Sequence, residues 1–148
     1  MTEPATSHTS PPLGLMIDKI ARVSGQRFAE RIADLDIRPR HVGLLSAAAR
    51  QDKPSQADLG AWLGIGPSAV VAVVDELQAL GAVERNPDPA NRRRWTITLT
   101  DEGTRLLTEA IHRAEELDRD LVSTLPPELA QAFHAATVQI ARHLGIAG

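Results

Sequence analysis

The sequence has no cysteine and no tyrosine, and only two phenylalanines and two tryptophans. Without a thiol, a cysteine-based peroxide sensor and a thiolate metal site are both excluded. The five histidines, His8, His41, His112, His134 and His143, are dispersed. Only His112 and Glu116 stand one helical turn apart, and such neighbours on a helix are usually solvated, so no metal and no cofactor are expected. No run of 18 apolar residues exists that could span a membrane. Residues 1–12 are Thr/Ser/Pro-rich and carry no basic-plus-apolar signal, so a disordered tail and a cytoplasmic location are expected. No nucleophile–base pattern, phosphate loop or converging carboxylate pair is present, so the chain does not read as an enzyme.

What the sequence does contain is a helical protein with one β-hairpin. At 148 residues, 43% hydrophobic and 24% charged, the chain suits one domain with a sizeable core. The central segment is the most informative. Ser55 can cap a helix over residues 56–63, with Asp58 three residues on. Gly64-Ile65-Gly66 breaks it, and Pro67 suits the first position of a second helix running to Leu80. That helix places Val70, Val73, Val74, Leu77 and Leu80 on one face, and Gly81 supplies a left-handed stop. Two helices joined by a three-residue Gly-containing turn form a helix-turn-helix.

A hairpin follows. Residues 82–85 read as a short strand and Trp95-Thr-Ile-Thr-Leu99 as an alternating, β-branched one. Between them the loop of residues 86–94 ends in Arg92-Arg93-Arg94. Arginine on an extended arm is the usual residue to enter the negative minor groove of a duplex. The alternative is a solvated hairpin, and the preceding helix-turn-helix favours DNA. Trp62 and Trp95 read as core or groove-adjacent packing.

Leu59-Gly-Ala-Trp-Leu-Gly-Ile65, Val73-Val-Asp-Glu-Leu77, Leu80-Gly-Ala-Val-Glu-Arg85, Asp88-Pro-Ala-Asn-Arg-Arg93 and Ile97-Thr-Leu-Thr-Asp-Glu-Gly103 follow in order. With Ile37-Arg-Pro-Arg-His-Val-Gly-Leu-Leu45 upstream, the chain resembles the multiple-antibiotic-resistance regulator (MarR) family of bacterial transcription factors over roughly residues 13–144. The resemblance implies a mainly α fold with a small β-wing (α+β). A winged helix-turn-helix at residues 37–100 would be flanked by dimerisation helices at 13–36 and 101–148. It also implies a cytoplasmic homodimeric regulator, acting as a repressor at an inverted-repeat operator in double-stranded DNA and released by a small aromatic or anionic effector.

Charge and periodicity fit this expectation. The net charge is −3, yet residues 38–94 hold eight Arg/Lys against six Asp/Glu, so the basic surplus lies in the segment assigned to DNA. Leu13, Met16, Ile17, Ile20, Ser24 and Phe28 trace one stripe of a first helix to about Ala33. Leu107, Ala110, Ile111, Ala114, Leu117 and Leu121 trace another along residues 101–123, and Leu129, Ala132, Phe133, Ala136, Ile140 and Leu144 a third after Pro126-Pro127. A second subunit or an intrachain bundle could cover these stripes. Helices from opposite chain ends that must meet favour the dimer, as does the pairing of half-sites by such proteins.

Burying one face of the second helix leaves Ser68, Ala69, Val71, Ala72 and Asp75 outward. Ser68 can bond a base edge or phosphate, while Ala69, Val71 and Ala72 offer only apolar contacts. Relatives commonly carry Ser, Thr or Arg at the positions of Gly66, Val71 and Ala72, so this helix is poor in donors. The family's wing-tip arginine falls on Arg93, and its acidic brace falls on Asn91 unless Asp88 substitutes. Arg92 and Arg94 are expected at phosphates or in solvent, and Lys53, Ser55, Gln56 and Arg40 at phosphates or simply at the surface. The resemblance puts the effector near Arg27, Phe28, His41, Leu45 and His112. His41 can instead be a helix-start histidine bonding backbone or a neighbouring acid. Two other functions stay open: a weakly specific architectural DNA binder, and an interaction module that no longer binds DNA.

Overall fold

The structure is a computed structural model, and it describes residues 10–146. The chain forms α1 (Leu13–Arg31), a 3-10 turn (Ala33–Leu35), α2 (Pro39–Arg50), α3 (Gln56–Leu63), α4 (Pro67–Ala79), β1 (Val83–Asp88), β2 (Asn91–Leu99), α5 (Asp101–Leu121) and α6 (Pro127–His143). It is mostly helical, with one two-stranded antiparallel sheet, as the sequence predicts. The expectation of a disordered tail over residues 1–12 falls largely outside the described residues. Among those residues, no single helix is long and apolar enough to cross a membrane.

Local punctuation explains the helix-turn-helix. Ser55 Oγ accepts the Asp58 N–H at 3.1 Å, and Asp58 Oδ2 accepts the Ser55 N–H at 2.8 Å, closing a capping box. Gly64 takes φ 65° at the end of α3, and Gly81 takes φ 69° beyond α4, a region where a β-carbon is strained. Pro67 opens α4. Gly60 lets the two helices close on each other, because a β-carbon there would stand 3.1 Å from both Ile65 O and Val70 Cγ2. Val70, Val73, Val74 and Leu77 are buried, each worth ~1.5–3 kcal/mol of apolar transfer. Leu80, expected on that face, lies beyond the last turn and stays exposed.

The core gathers α2 (Leu44, Leu45, Ala47), α3 (Leu59), the inner face of α4, Ile97 of β2, and Leu106 and Ala110 of α5. Leu107, Ala110 and Leu117 of the predicted α5 stripe are buried, but Ile111 is exposed and Leu106 takes its place. The stripes of α1 and α6 behave differently. Neither helix contains a buried residue. Leu13, Met16, Ile17 and Ile20 of α1 are exposed, as are Leu129, Phe133 and Ile140 of α6 and Leu144 just beyond it. Among the described residues only the Phe28 end of the α1 stripe meets the core, and the other apolar residues of both stripes are exposed.

The hairpin is longer than its sequence reads. Pairing runs from Val83↔Leu99 to Pro87↔Trp95, with an irregularity before Asp88↔Asn91. The turn is therefore confined to residues 88–91, and Arg92, Arg93 and Arg94 lie within β2 in the irregular stretch between the last two pairs, next to the turn. Asn86 and Pro87 look like a turn in sequence, yet a proline is tolerated on the outer edge of a two-stranded ribbon. Trp62 and Trp95 are not core residues; they are 46% and 50% exposed.

Candidate nucleic-acid interface

The outward face of α4 is as the spacing predicts: Ser68, Ala69, Val71, Ala72 and Asp75 are all exposed. The α4 N-cap is Gly66, which supplies no side-chain hydrogen bond. Pro67 has no N–H and the Ala69 and Val70 N–H groups both donate to Gly66 O at 3.1 Å, so the positive end of α4 is left without a side-chain cap.

The polar groups around that face are held by one another. Arg85 of β1, with a side chain 23% exposed, donates from Nε to Gln56 Oε1 (3.0 Å), from Nη1 to Gln78 Oε1 (2.8 Å) and from Nη2 to Asp75 Oδ1 (2.5 Å). One guanidinium ties the wing to both helices of the motif, as its planar array of donors allows. The sequence reading missed this role. The available signal was an acid and a glutamine one turn apart on α4, Asp75 and Gln78, facing an arginine on the next strand.

The three wing arginines are divided. Arg94 Nη2 donates to Asp58 Oδ2 at 2.6 Å, and its Nε lies 3.8 Å from Asp88. Arg94 is therefore engaged by α3 instead of pointing freely to solvent. The Asp58 carboxyl is held below the usual carboxylate range, first by its bonds from Ser55 and then by Arg94. Arg92 and Arg93 are exposed, and among the described residues their side chains have no hydrogen-bond or ion-pair partner. Asn91 Oδ1 accepts the Arg93 backbone N–H at 3.1 Å. Asp88 thus substitutes at Arg94, not at Arg93.

Other candidate contacts also have structural work. Ser55 is buried, with its hydroxyl donating to Asp58 Oδ2 at 2.7 Å, so it caps α3 and cannot reach a phosphate as placed. Gln56 keeps its amide donor while its oxygen serves Arg85. Arg40 Nη2 donates to both Glu76 oxygens at 2.7 Å. Lys53 is exposed, at φ 47°.

Of the five residues assigned to an effector, two are buried. Leu45 is fully enclosed by the core. His41 is buried and its ring is committed at both nitrogens. Nδ1 accepts the Arg38 N–H at 3.0 Å, so Nε2 carries the proton it shares with Glu76 Oε2 at 2.5 Å. Glu76 is correspondingly held below its ordinary pKa, chiefly by Arg40 and then by His41. The shallow hollow beside His41 is lined by Asp36, Arg38, Arg40, Glu76, Ala79 and Leu80, not by the other four. Phe28 packs partly buried against the core, and Arg27 and His112 are exposed. A different cluster, unforeseen from sequence, joins α1 to α5: Arg113 pairs with Asp34 and, at 2.8 Å, Glu109, and Arg31 pairs with Asp120. Asp34 is lowered below its usual range, principally by Arg113. Among the described residues no three His, Asp or Glu side chains gather as metal ligands.

Known proteins place this architecture. The sequence model of the MarR family matches residues 35–94, which span α2 through the arginine triplet. The HTH-type transcriptional regulator PecS of Dickeya dadantii (strain 3937) is 26% identical over 136 residues, covering 88% of this chain and 82% of PecS. The putative transcriptional regulatory protein for the hcr operon of Thauera aromatica is 27% identical over 101 residues; the match spans 68% of this chain and 61% of that longer relative. CouR from Rhodococcus jostii RHA1, solved with p-coumaroyl-CoA, superposes with a TM-score of 0.73 at 26% identity, covering 89% of this chain and 93% of CouR. CouR bound to a 23-mer DNA duplex gives 0.79 at 23%, covering 95% and 99%. These relatives are regulators and not enzymes. The helix-turn-helix and the wing fall within the segment that the MarR family model matches, and the chain as a whole is similar in fold to MarR-family transcriptional regulators.

Proposed function

We propose that this regulator binds double-stranded DNA as a homodimer, with residues 37–100 as the DNA-binding unit and the helices of 13–36 and 101–148 as the dimerisation unit. Each subunit sets α4 into the major groove of one half-site of an inverted repeat, with Arg93 in the flanking minor groove. The observation that carries this reading is the free side chains of Arg92 and Arg93 on a hairpin that Arg85 and Arg94 fasten to the helix-turn-helix. Arginine held on a rigid ribbon and free of internal partners suits phosphate and minor-groove contact. The DNA-bound form of CouR, whose fold this chain shares, supports the same docking.

The dimer is supported by α1 and α6. An amphipathic helix in a folded chain needs a partner for its apolar face, and among the described residues most of the α1 and α6 stripes, Leu13 to Ile20 and Leu129 to Leu144, stays exposed. The function further includes release by a small aromatic or anionic effector, a reading supported by the thioester-bound form of CouR. Leu45 is enclosed by the core and the His41 ring is bonded at both nitrogens, so Arg27, Phe28 and His112 are the more accessible of the five candidate residues. Repression follows if the operator overlaps a promoter. Selection of bound duplexes from random DNA with the purified chain tests this function. A short inverted repeat bound by two chains supports it, and recovery of duplexes with no shared repeat contradicts it.

A further inference from the structure

The DNA-facing surface of α4 has lost nearly every group that reads a base edge by hydrogen bonding. Ala69, Val71 and Ala72 have none to offer. Gln78 and Asp75 are bonded to Arg85, as is the oxygen of Gln56, while Arg40 is held by Glu76 and Arg94 by Asp58. Ser68 alone on the first two turns of α4 carries a polar side chain. What the surface has instead is an open recess of about 540 Å³ between α3 and α4, walled by Ala57, Gly60, Ala61, Ile65, Pro67 and Val71. Ile65 and Val71 remain 38% and 39% exposed at its rim. The recess exists because Gly60 allows the two helices to approach and because alanine, not a longer side chain, occupies positions 57 and 61.

Only one base presents an apolar group in the major groove: thymine, through its C5 methyl. The recess also adjoins the positive N-terminal end of α4, which complements the negative charge of a phosphate backbone. We infer that Val71, Ile65 and the alanines of α4 read the operator through thymine methyl groups, so that specificity in each half-site comes from seated methyls in place of bidentate hydrogen bonds. This inference rests on the DNA-binding reading above and names the chemistry that reading leaves blank.

The experiment replaces thymine by deoxyuridine, one position at a time, in the best duplex selected by the full-length chain. This removes a methyl group and leaves every hydrogen-bonding edge unchanged. Affinity falls about fourfold for each methyl seated against Val71 or Ile65, the equivalent of ~0.8 kcal/mol. In the Val71→Ser protein, whose altered side chain is at the surface and does not threaten folding, the penalty at one of those positions collapses. Unchanged affinity at every deoxyuridine position overturns the inference while leaving DNA binding intact. So does a penalty that Val71→Ser leaves unaltered at every position, or a selection that yields salt-dependent binding without a preferred sequence. Failure to bind any duplex overturns the DNA-binding reading itself, and the inference with it.

Discussion

Gly103, three residues into the Thr100-capped helix α5, lies so close to Ala82 that a β-carbon on it would fall 1.9 Å from Ala82 O. The same carbonyl accepts the Thr100 N–H at 3.1 Å, and Thr100 Oγ1 donates to Gly81 O while accepting the Gly103 N–H at 3.0 Å. The Leu-Thr-Asp-Glu-Gly segment is thus the joint where the wing, the end of α4 and the start of α5 meet. Its threonine caps, and its glycine makes the close approach possible.

Replacing Gly103 with alanine is therefore expected to destabilise. In an open helical site the same change stabilises by ~0.5–1 kcal/mol. Here backbone must move, and a loss of ~1–3 kcal/mol is expected, as for overpacking in a core. Urea denaturation checks the sign: the midpoint falls with the slope unchanged.

Asp58 couples stability to pH. Its carboxyl is depressed by Ser55 and Arg94, so the stabilisation is present above the ordinary carboxylate range and is lost as pH falls through the lower, folded value. The group is largely exposed, so screening keeps the effect small. Asp58→Asn retains a cap acceptor and loses the charge facing Arg94. Melting temperatures from neutral pH down to the acid limb should decline less steeply in this variant than in the parent.

His41 is a structural histidine on this account. Its removal loses hydrogen bonds to the Arg38 N–H and to the half-exposed Glu76 carboxylate, each worth ~0.5–1.5 kcal/mol. His41→Ala should lower the denaturation midpoint accordingly, and effector response measured on the remaining folded protein should be retained. A variant of full stability that no longer responds to effector would instead assign His41 to the ligand site.

Phe133 is 49% exposed on α6 in one chain and belongs to the face assigned to the partner. Phe133→Asp would place a carboxylate at that interface, where its desolvation opposes association. Light scattering should report twice the 15.9 kDa chain mass for the parent and a shift toward the single-chain mass for the variant.

The elements that were legible in sequence are those with strong local punctuation. Ser55, Gly64, Pro67 and Gly81 bound α3 and α4 because capping and positive φ are decided by single residues. The wing was read too short, since Asn86-Pro87-Asp88 has turn composition while cross-strand pairing, a nonlocal interaction, carries the strands through it. Arg85 and Arg94 show the same limit. Their partners lie on α3 and α4, and no local pattern states which of several exposed arginines a folded chain will engage. His41 was readable as a helix-start residue, but Glu76, 35 positions away, decides that its ring is occupied.

The most direct test of DNA binding by the wing and α4 is to titrate a selected duplex across a range of salt concentrations with the parent chain and with Arg93→Ala. Neutralising several phosphates gives a log–log slope of about −0.9 for each one released. A steep slope is expected for the parent, and strongly weakened binding for Arg93→Ala with its fold unchanged. Affinity that is insensitive to salt, or identical in the two proteins, would contradict DNA binding by the wing and α4.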